Sequence, residues 1–231
     1  MVRGVIFDID GTLLDWETSI DRALRDVLPE VPPAHRDGLP DRVRQALADY
    51  VFVVRDGFVV DRKHWMLMVD PVPPLRAALA GADPDLAPVL AQRFQSLLEA
   101  VPFTDVKPAL EALRAEYALG VLTNSPRSEE TLSRLKLRPY FSAVVAASEP
   151  WRKPHPEAFR RACRALGVAP AEAAYVGDSI ANDVEGALGA GLIPVWMDRY
   201  GDDYPLPERA HRITSLGELS GLISYVNAHG N

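Results

Sequence analysis

The stretch Val5-Ile6-Phe7-Asp8-Ile9-Asp10-Gly11-Thr12-Leu13-Leu14-Asp15 constrains this chain most: an apolar run ends in two carboxylates two positions apart. Side chains alternate along a strand, so Asp8 and Asp10 leave a buried strand end on the same side. Two like charges that close repel, and the pair needs a cation or a proton to hold it. Gly11 permits the sharp turn that lets a ligand approach the backbone. A carboxylate that can attack, beside one that can carry a proton, is what a metal-dependent phosphoryl-transfer site requires. A short acidic pair is also common on surface loops. The apolar strand before this one, and three more polar clusters later in the chain, give it weight.

At 231 residues the chain can bury a sizeable core and can hold one large domain or two modest ones. Hydrophobic content of 48% and charged content of 25% describe an ordinary globular chain. A net charge of −7 argues against nucleic acid or an anionic membrane surface as the main partner. Helix N-termini and a local cation still allow phosphate to bind. Cys163 is the one cysteine, which excludes an intramolecular disulfide and a cysteine-built metal cluster. Its place in the amphipathic run Phe159 to Leu166 reads as a small core residue. The first apolar run is too short for a signal peptide, and no stretch approaches the roughly 18 residues of a membrane span. A cytoplasmic, reducing setting is the expectation.

From Ala109 onward apolar runs alternate with amphipathic ones. The pattern predicts a helix over Ala109–Tyr117, a strand over Leu119–Thr123, and a helix capped by Ser125 with Pro126 at its first position. A strand Ala143–Ala147, a helix Pro156–Leu166, a strand Ala173–Val176, a helix Ala181–Leu188 and a strand Ile193–Trp196 follow. Such alternation predicts an α/β, Rossmann-like parallel sheet with helices on both faces. Ligands then bind beyond the carboxyl ends of the strands, where Asp8, Thr123 and Asp178 fall. Residues from Trp16 to Val101 break the alternation with candidate helices Ser19–Leu28, Asp41–Arg55, Asp61–Met68 and Asp85–Ala100. Asp61 is a candidate N-cap and Gly57 a turn, while Pro29–Pro40 and Pro71–Pro74 read as helix-breaking connections. The expected organisation is a catalytic core of residues 1–15 and 102–231 with an inserted α-helical cap domain, residues 16–101, acting as a lid.

Besides Asp8 and Asp10, Thr123-Asn124-Ser125 offers a hydroxyl and backbone amides suited to a phosphate oxygen. Lys153, held extended by Pro154, can neutralise a phosphate and the nearby carboxylates; His155 reads as a loop or cap residue. Gly177-Asp178-Ser179-Ile180-Ala181-Asn182-Asp183 presents oxygen ligands for a hard cation, Mg²⁺ before others. An EF-hand is excluded, since Ile180 occupies a ligand position. Gly186, Gly189 and Gly191 do not match the dinucleotide fingerprint. An esterase elbow on Ser179 would have Ala181 where glycine is needed, and would leave Asp8, Asp10 and Lys153 without a role.

Together, Asp8 to Thr12, Thr123 to Ser125, Lys153 before Pro154 and Gly177 to Asp183 resemble the motifs of the haloacid dehalogenase superfamily of hydrolases, over essentially the whole chain. The helical insertion resembles the cap of its phosphoglycolate phosphatase-like members. The resemblance implies a phosphatase in which Asp8 attacks phosphorus and Asp10 protonates the leaving oxygen, then activates water. It implies Mg²⁺ held by the Asp8 carboxylate, the Asp10 backbone carbonyl and Asp178. Asp183 would act through water on the metal or orient Lys153, and Thr123, the Asn124 amide and Lys153 would hold the phosphoryl oxygens. Dehalogenases of the family lack an acid at the position of Asp10, so its presence favours phosphate esters; the phosphonate-cleaving branch is likewise disfavoured. A sugar phosphomutase keeps both acids and stays as an alternative, as does a non-catalytic regulatory binding protein on this scaffold. The implied partner is a small phosphorylated metabolite met by a monomer or homodimer. Trp16, Arg55, Arg62, Lys63, His64 and Trp65 are the candidates for facing it.

Overall fold

The computed structural model describes residues 1–48, 70–202 and 204–230. It divides into two compact units, Met1–Leu14 with Pro102–Asn231, and Asp15–Val101.

The strands of the first unit are β1 (Gly4–Phe7), β2 (Ala118–Thr123), β3 (Ala143–Ala146), β4 (Ala173–Gly177), β5 (Ile193–Met197) and β6 (His211–Ile213). They form one sheet in the order β3-β2-β1-β4-β5-β6, every pair parallel. The short apolar runs of the four inner strands are buried on both faces, while the two edge strands β3 and β6 are partly exposed. This is the doubly wound order, whose strand sequence reverses direction across the sheet beside β1. Phe7 lies level with Val121 of β2 and Val176 of β4, so the segments that follow β1 and β4 leave the sheet side by side. That register brings the two acidic motifs, separated by 170 positions between Asp8 and Asp178, to one crevice.

The connecting helices are α5 (Val106–Leu113), α6 (Ser128–Arg134), α7 (Pro156–Leu166), α8 (Glu185–Ala190) and α9 (Leu219–His229). Helix α7 buries Ala158, Phe159, Ala162, Cys163 and Leu166, one stripe at helical spacing. The stripe packs with Ile6, Leu122 and Tyr175 of the sheet. Cys163 is part of this core, and burial pushes its thiol up to about 11, away from thiolate chemistry.

Several expectations need correcting. The helix expected over Ala109–Tyr117 begins earlier, at Val106, and ends at Leu113. Ser125 is not an N-cap. Its amide donates to Thr123 Oγ1 (3.1 Å), a local bond that makes a turn there, and α6 starts only at Ser128. The helix expected over Ala181–Leu188 is two pieces, a π-type turn at Ile180–Val184 followed by α8. The turn is wide because the Val184 amide reaches the Ser179 carbonyl (3.2 Å), five residues back. Strand β6 and helix α9 were not foreseen.

The second unit is helical, with α1 (Trp16–Val27), α2 (Leu39–Ala48), α3 (Val72–Ala78) and α4 (Leu86–Leu97). Asp15 caps α1 by accepting from the Thr18 amide (3.0 Å) and hydroxyl (2.6 Å). Ile20, Ala23, Leu24 and Val27 then form an apolar stripe that packs with Leu39, Val43, Leu75, Leu90 and Phe94. Pro71–Pro74 does not interrupt structure as expected, because Pro73 and Pro74 sit in the first turn of α3, where no amide bond is lost. The end of the helix expected over Asp41–Arg55, the helix Asp61–Met68 and its cap, Gly57, Arg55, Arg62, Lys63, His64 and Trp65 lie outside the described residues. Among the described residues no helix is long and apolar enough to cross a membrane.

Two carboxylates tie loops to the sheet unit. Asp105 Oδ2 accepts from Arg199 (2.7 Å), the Ser215 hydroxyl (2.9 Å) and the Leu216 amide (2.8 Å). Asp198 accepts from the amides of Tyr200 (3.3 Å), Gly201 (3.0 Å) and Asp202 (3.0 Å) and pairs with Arg212. Burial alone would raise both carboxyls, but these donors outweigh it and hold both below the usual carboxylate range. A folded-state pKa below the unfolded value adds stability above the unfolded pKa and loses it as pH falls. Melting temperature is therefore expected to drop steeply below about pH 4. Asp198→Asn should flatten that acid slope in thermal melts from pH 3 to pH 7.

Candidate active site

Asp8 follows the last residue of β1, and its amide donates to the Val176 carbonyl of β4 (2.9 Å). The nucleophile candidate is thereby fixed by two neighbouring strands. It is buried, and Lys153 Nζ lies 2.6 Å from its Oδ1. The same ammonium donates to Asp183 Oδ1 (2.7 Å) and to the Tyr175 hydroxyl (3.0 Å). Each of its three donors thus has an acceptor. The loop carrying Lys153 is clamped by the Asn124 side chain. Oδ1 accepts from the Lys153 amide (2.9 Å), while Nδ2 donates to the Lys153 carbonyl (3.2 Å).

Asp183 is committed at both oxygens, since Oδ2 accepts from the Ser179 amide (3.0 Å) while Oδ1 faces Lys153 and Tyr175. The π-type turn directs this side chain inward. The Tyr175 hydroxyl can serve either the Leu122 carbonyl (3.1 Å) or Asp183 Oδ1 (3.0 Å) with its one proton.

Electrostatics follow from burial. Desolvation pushes Asp8 well above the usual carboxylate range; Lys153 opposes this, while Asp183, Asp178 and Asp10 add to it. Burial works against the Lys153 ammonium, yet Asp183 and Asp8 outweigh it and hold its pKa above the ordinary lysine value. The Tyr175 hydroxyl is raised by burial and by the same two acids, so it stays protonated.

Carboxylate oxygens of Asp8, Asp178 and Asp183 lie within 4.8 Å of one another. Three carboxylates against one ammonium leave negative charge to be compensated, and an all-oxygen donor set suits a hard divalent cation. Asp10 is not one of this trio of carboxylates; the part expected of it in metal binding was through its backbone carbonyl. Two glycines make the approach possible. A Cβ on Gly11 would stand 2.4 Å from Asp178 Oδ2, and Gly11 also has φ of +76°. A Cβ on Gly177 would stand 2.3 Å from Asp183 Cγ. Binding of a cation to the folded state only should raise the melting temperature with Mg²⁺ concentration, reversibly with chelator. Gly11→Ala, which pushes Asp178 away, should abolish that dependence in the same titration.

Sequence reasoning missed two residues, Tyr175 and Trp196, and the part of the Asn124 side chain, a residue expected only for its backbone amide. Tyr175 is fully buried and joins the lysine cluster, Trp196 donates from Nε1 to the Asp178 carbonyl (2.9 Å), and the Asn124 side chain clamps Lys153. The first two carried a signal, because a tyrosine or tryptophan inside a wholly apolar strand needs a partner for its polar tip.

Residues 2–191 match the haloacid dehalogenase-like hydrolase family. The chain belongs to that family. The human N-acylneuraminate-9-phosphatase is 29% identical over 98% of this chain and 95% of its own. A phosphoglycolate phosphatase of Xylella fastidiosa is 31% identical over 94% of this chain and 90% of its own. Among solved structures, a 2-haloacid dehalogenase from Pseudomonas syringae superposes with a TM-score of 0.58 at 28% identity, covering 97% of this chain and 99% of that one. The family thus includes similar chains with both carbon–halogen and phosphate-ester chemistry, and the acids of the site have to separate the two.

Proposed function

We propose that this protein is a phosphoric monoester hydrolase acting on a small phosphorylated metabolite through an aspartyl-phosphate on Asp8. The observation that carries the reading is Asp8, fixed at the end of β1 against Lys153 Nζ at 2.6 Å, with a second acid, Asp10, two residues on. Displacing halide from carbon needs no proton for the leaving group, whereas an alkoxide leaving from phosphorus does. Both phosphatase relatives support the same branch.

A carboxylate oxygen of Asp8 attacks phosphorus and the bond to the ester oxygen breaks, with Asp10 delivering its proton to the departing alkoxide. Asp10 then takes a proton from water, whose oxygen attacks the same phosphorus. The bond to Asp8 breaks and inorganic phosphate leaves. Lys153 favours the ionised form of Asp8 against burial and the neighbouring acids, and Asp183 and Tyr175 hold the lysine in place. Thr123, the Asn124 backbone amide and Lys153 receive the phosphoryl oxygens, on which negative charge is carried through the transition state. Mg²⁺, held by Asp8, the Asp10 carbonyl and Asp178, would neutralise charge between the nucleophile and the phosphoryl group.

The helical unit, inserted in the chain between β1 and β2, is assigned the part of a cap that excludes water and selects substrate, with Trp16 as the described candidate contact. The single thiol, buried in the core, suits a reducing cytoplasm.

The test is phosphate release from a panel containing phosphoglycolate, an N-acylneuraminate 9-phosphate, nucleoside monophosphates, sugar phosphates and p-nitrophenyl phosphate, with Mg²⁺ or chelator. Mg²⁺-dependent release is expected, and the preferred ester names the substrate. Isomerised sugar phosphate in place of free phosphate would overturn the reading in favour of a mutase.

A further inference from the structure

Arg199 lies just beyond β5, and its side chain is turned inward, only 6% exposed. Nη2 donates to the carbonyl of Thr12 (2.8 Å) and Nη1 to Asp105 Oδ2 (2.7 Å), and the guanidinium stands 4.1 Å from the centroid of the Phe103 ring. It therefore touches both passages of the chain at this edge of the sheet unit, the one just after the acidic pair and the one that returns at Phe103. Those passages are themselves bonded, with the Phe103 amide on the Leu13 carbonyl (3.1 Å).

The turn that presents Asp10 is tight. Gly11 donates to the Leu14 carbonyl (3.0 Å), and the Leu13 and Leu14 amides both donate to the Ile9 carbonyl (2.8 and 2.9 Å). Asp8, on one side of Asp10, is held by β4 through its amide. On the other side, the turn is fixed to the body of the unit by the fork of Arg199 on the Thr12 carbonyl. Asp10 sits between these anchors. A buried arginine is a poor device for stability alone. Its Nε, together with Asp105 Oδ1 and Thr12 Oγ1, has no protein partner among the described residues. What the planar guanidinium supplies, and an apolar side chain cannot, is a directed bond to one carbonyl.

We propose that Arg199 is a positioning residue that sets Asp10 for proton delivery, with Asp105 orienting the guanidinium. Its kinetic consequence rests on the phosphatase reading above. Because Asp8 keeps its own anchor, losing Arg199 should harm leaving-group protonation more than nucleophilic attack. An alkyl phosphate needs that proton, whereas p-nitrophenolate leaves without it.

The experiment compares wild type with Arg199→Ala, well below the melting temperature of the variant. Two readouts are taken: kcat/KM, which reports the first half-reaction alone, on an alkyl phosphate substrate and on p-nitrophenyl phosphate, and hydrogen–deuterium exchange of the peptide spanning Ile9–Leu14. The expected result is a kcat/KM loss on the order of 30-fold or more on the alkyl ester, at least several-fold smaller on the aryl ester. Exchange at Leu13 and Leu14 should quicken. Arg199→Lys keeps the charge without the fork and should fall between; it carries the test if Arg199→Ala does not fold. Equal losses on both esters, or unchanged exchange in the turn, would overturn the proposal. If wild type hydrolyses no ester the phosphatase reading fails, and exchange, which needs no substrate, decides whether Arg199 holds the turn.

Discussion

Asp8→Asn is expected to lower turnover by at least about 10⁴-fold, because an amide oxygen cannot form the acyl phosphate on which both half-reactions depend. The fold should survive. The amide oxygen of the variant can still accept a hydrogen bond from Lys153 Nζ, and the new side chain matches the volume of the aspartate it replaces. Stability should hold or rise without metal, since burial and the charges of Asp183, Asp178 and Asp10 all disfavour the ionised carboxylate in the wild type. Phosphate release and thermal melts on one preparation check both halves. Turnover within tenfold of wild type would remove Asp8 as nucleophile, and collapse of the fold would mean the carboxylate is structural.

Lys153→Ala is expected to damage both activity and stability. The ammonium neutralises Asp8 and Asp183, whose side chains are 9% and 1% exposed. Removing it strands two buried carboxylates and leaves the Tyr175 hydroxyl without its donor. Breaking a buried pair from one side costs about 3–5 kcal/mol. Divalent cation should recover part of that stability by compensating the same carboxylates. Activity should not recover with it, because the transition-state charge has lost a donor on the protein side, worth on the order of 10²–10³-fold. Melting temperature with and without Mg²⁺, set beside kcat, separates the two effects. A melting temperature within about a degree of wild type would show that the carboxylates do not depend on this lysine.

Much of the site was legible because its chemistry is written in local sequence. Asp8, Asp10, Lys153, Asp178 and Asp183 each sit in a short motif, and Asp10, Lys153 and Asp178 stand directly beside a glycine or proline. The strands were legible for a similar reason, as runs such as Val5-Ile6-Phe7 and Ala173 to Val176 fit only a sheet covered on both faces. Boundaries were less so. Thr123 takes the Ser125 amide and delays α6, and the π-type turn at Ile180–Val184 exists to carry Asp183 back to Ser179 and Lys153. Each competing bond is a choice between near and distant partners that periodicity does not weigh.

What the sequence by itself determined was the parallel α/β core, the acidic and basic residues of the candidate site, and the family. These depend on residue type and on spacing within a few positions. What only the tertiary structure decided was how those residues are held. Tyr175 beneath Lys153, Asn124 around its backbone, Trp196 on the Asp178 carbonyl and Arg199 on Thr12 join strands far apart in the chain. A hydrogen bond across such a distance depends on sheet register and burial, which exist only once the chain has folded.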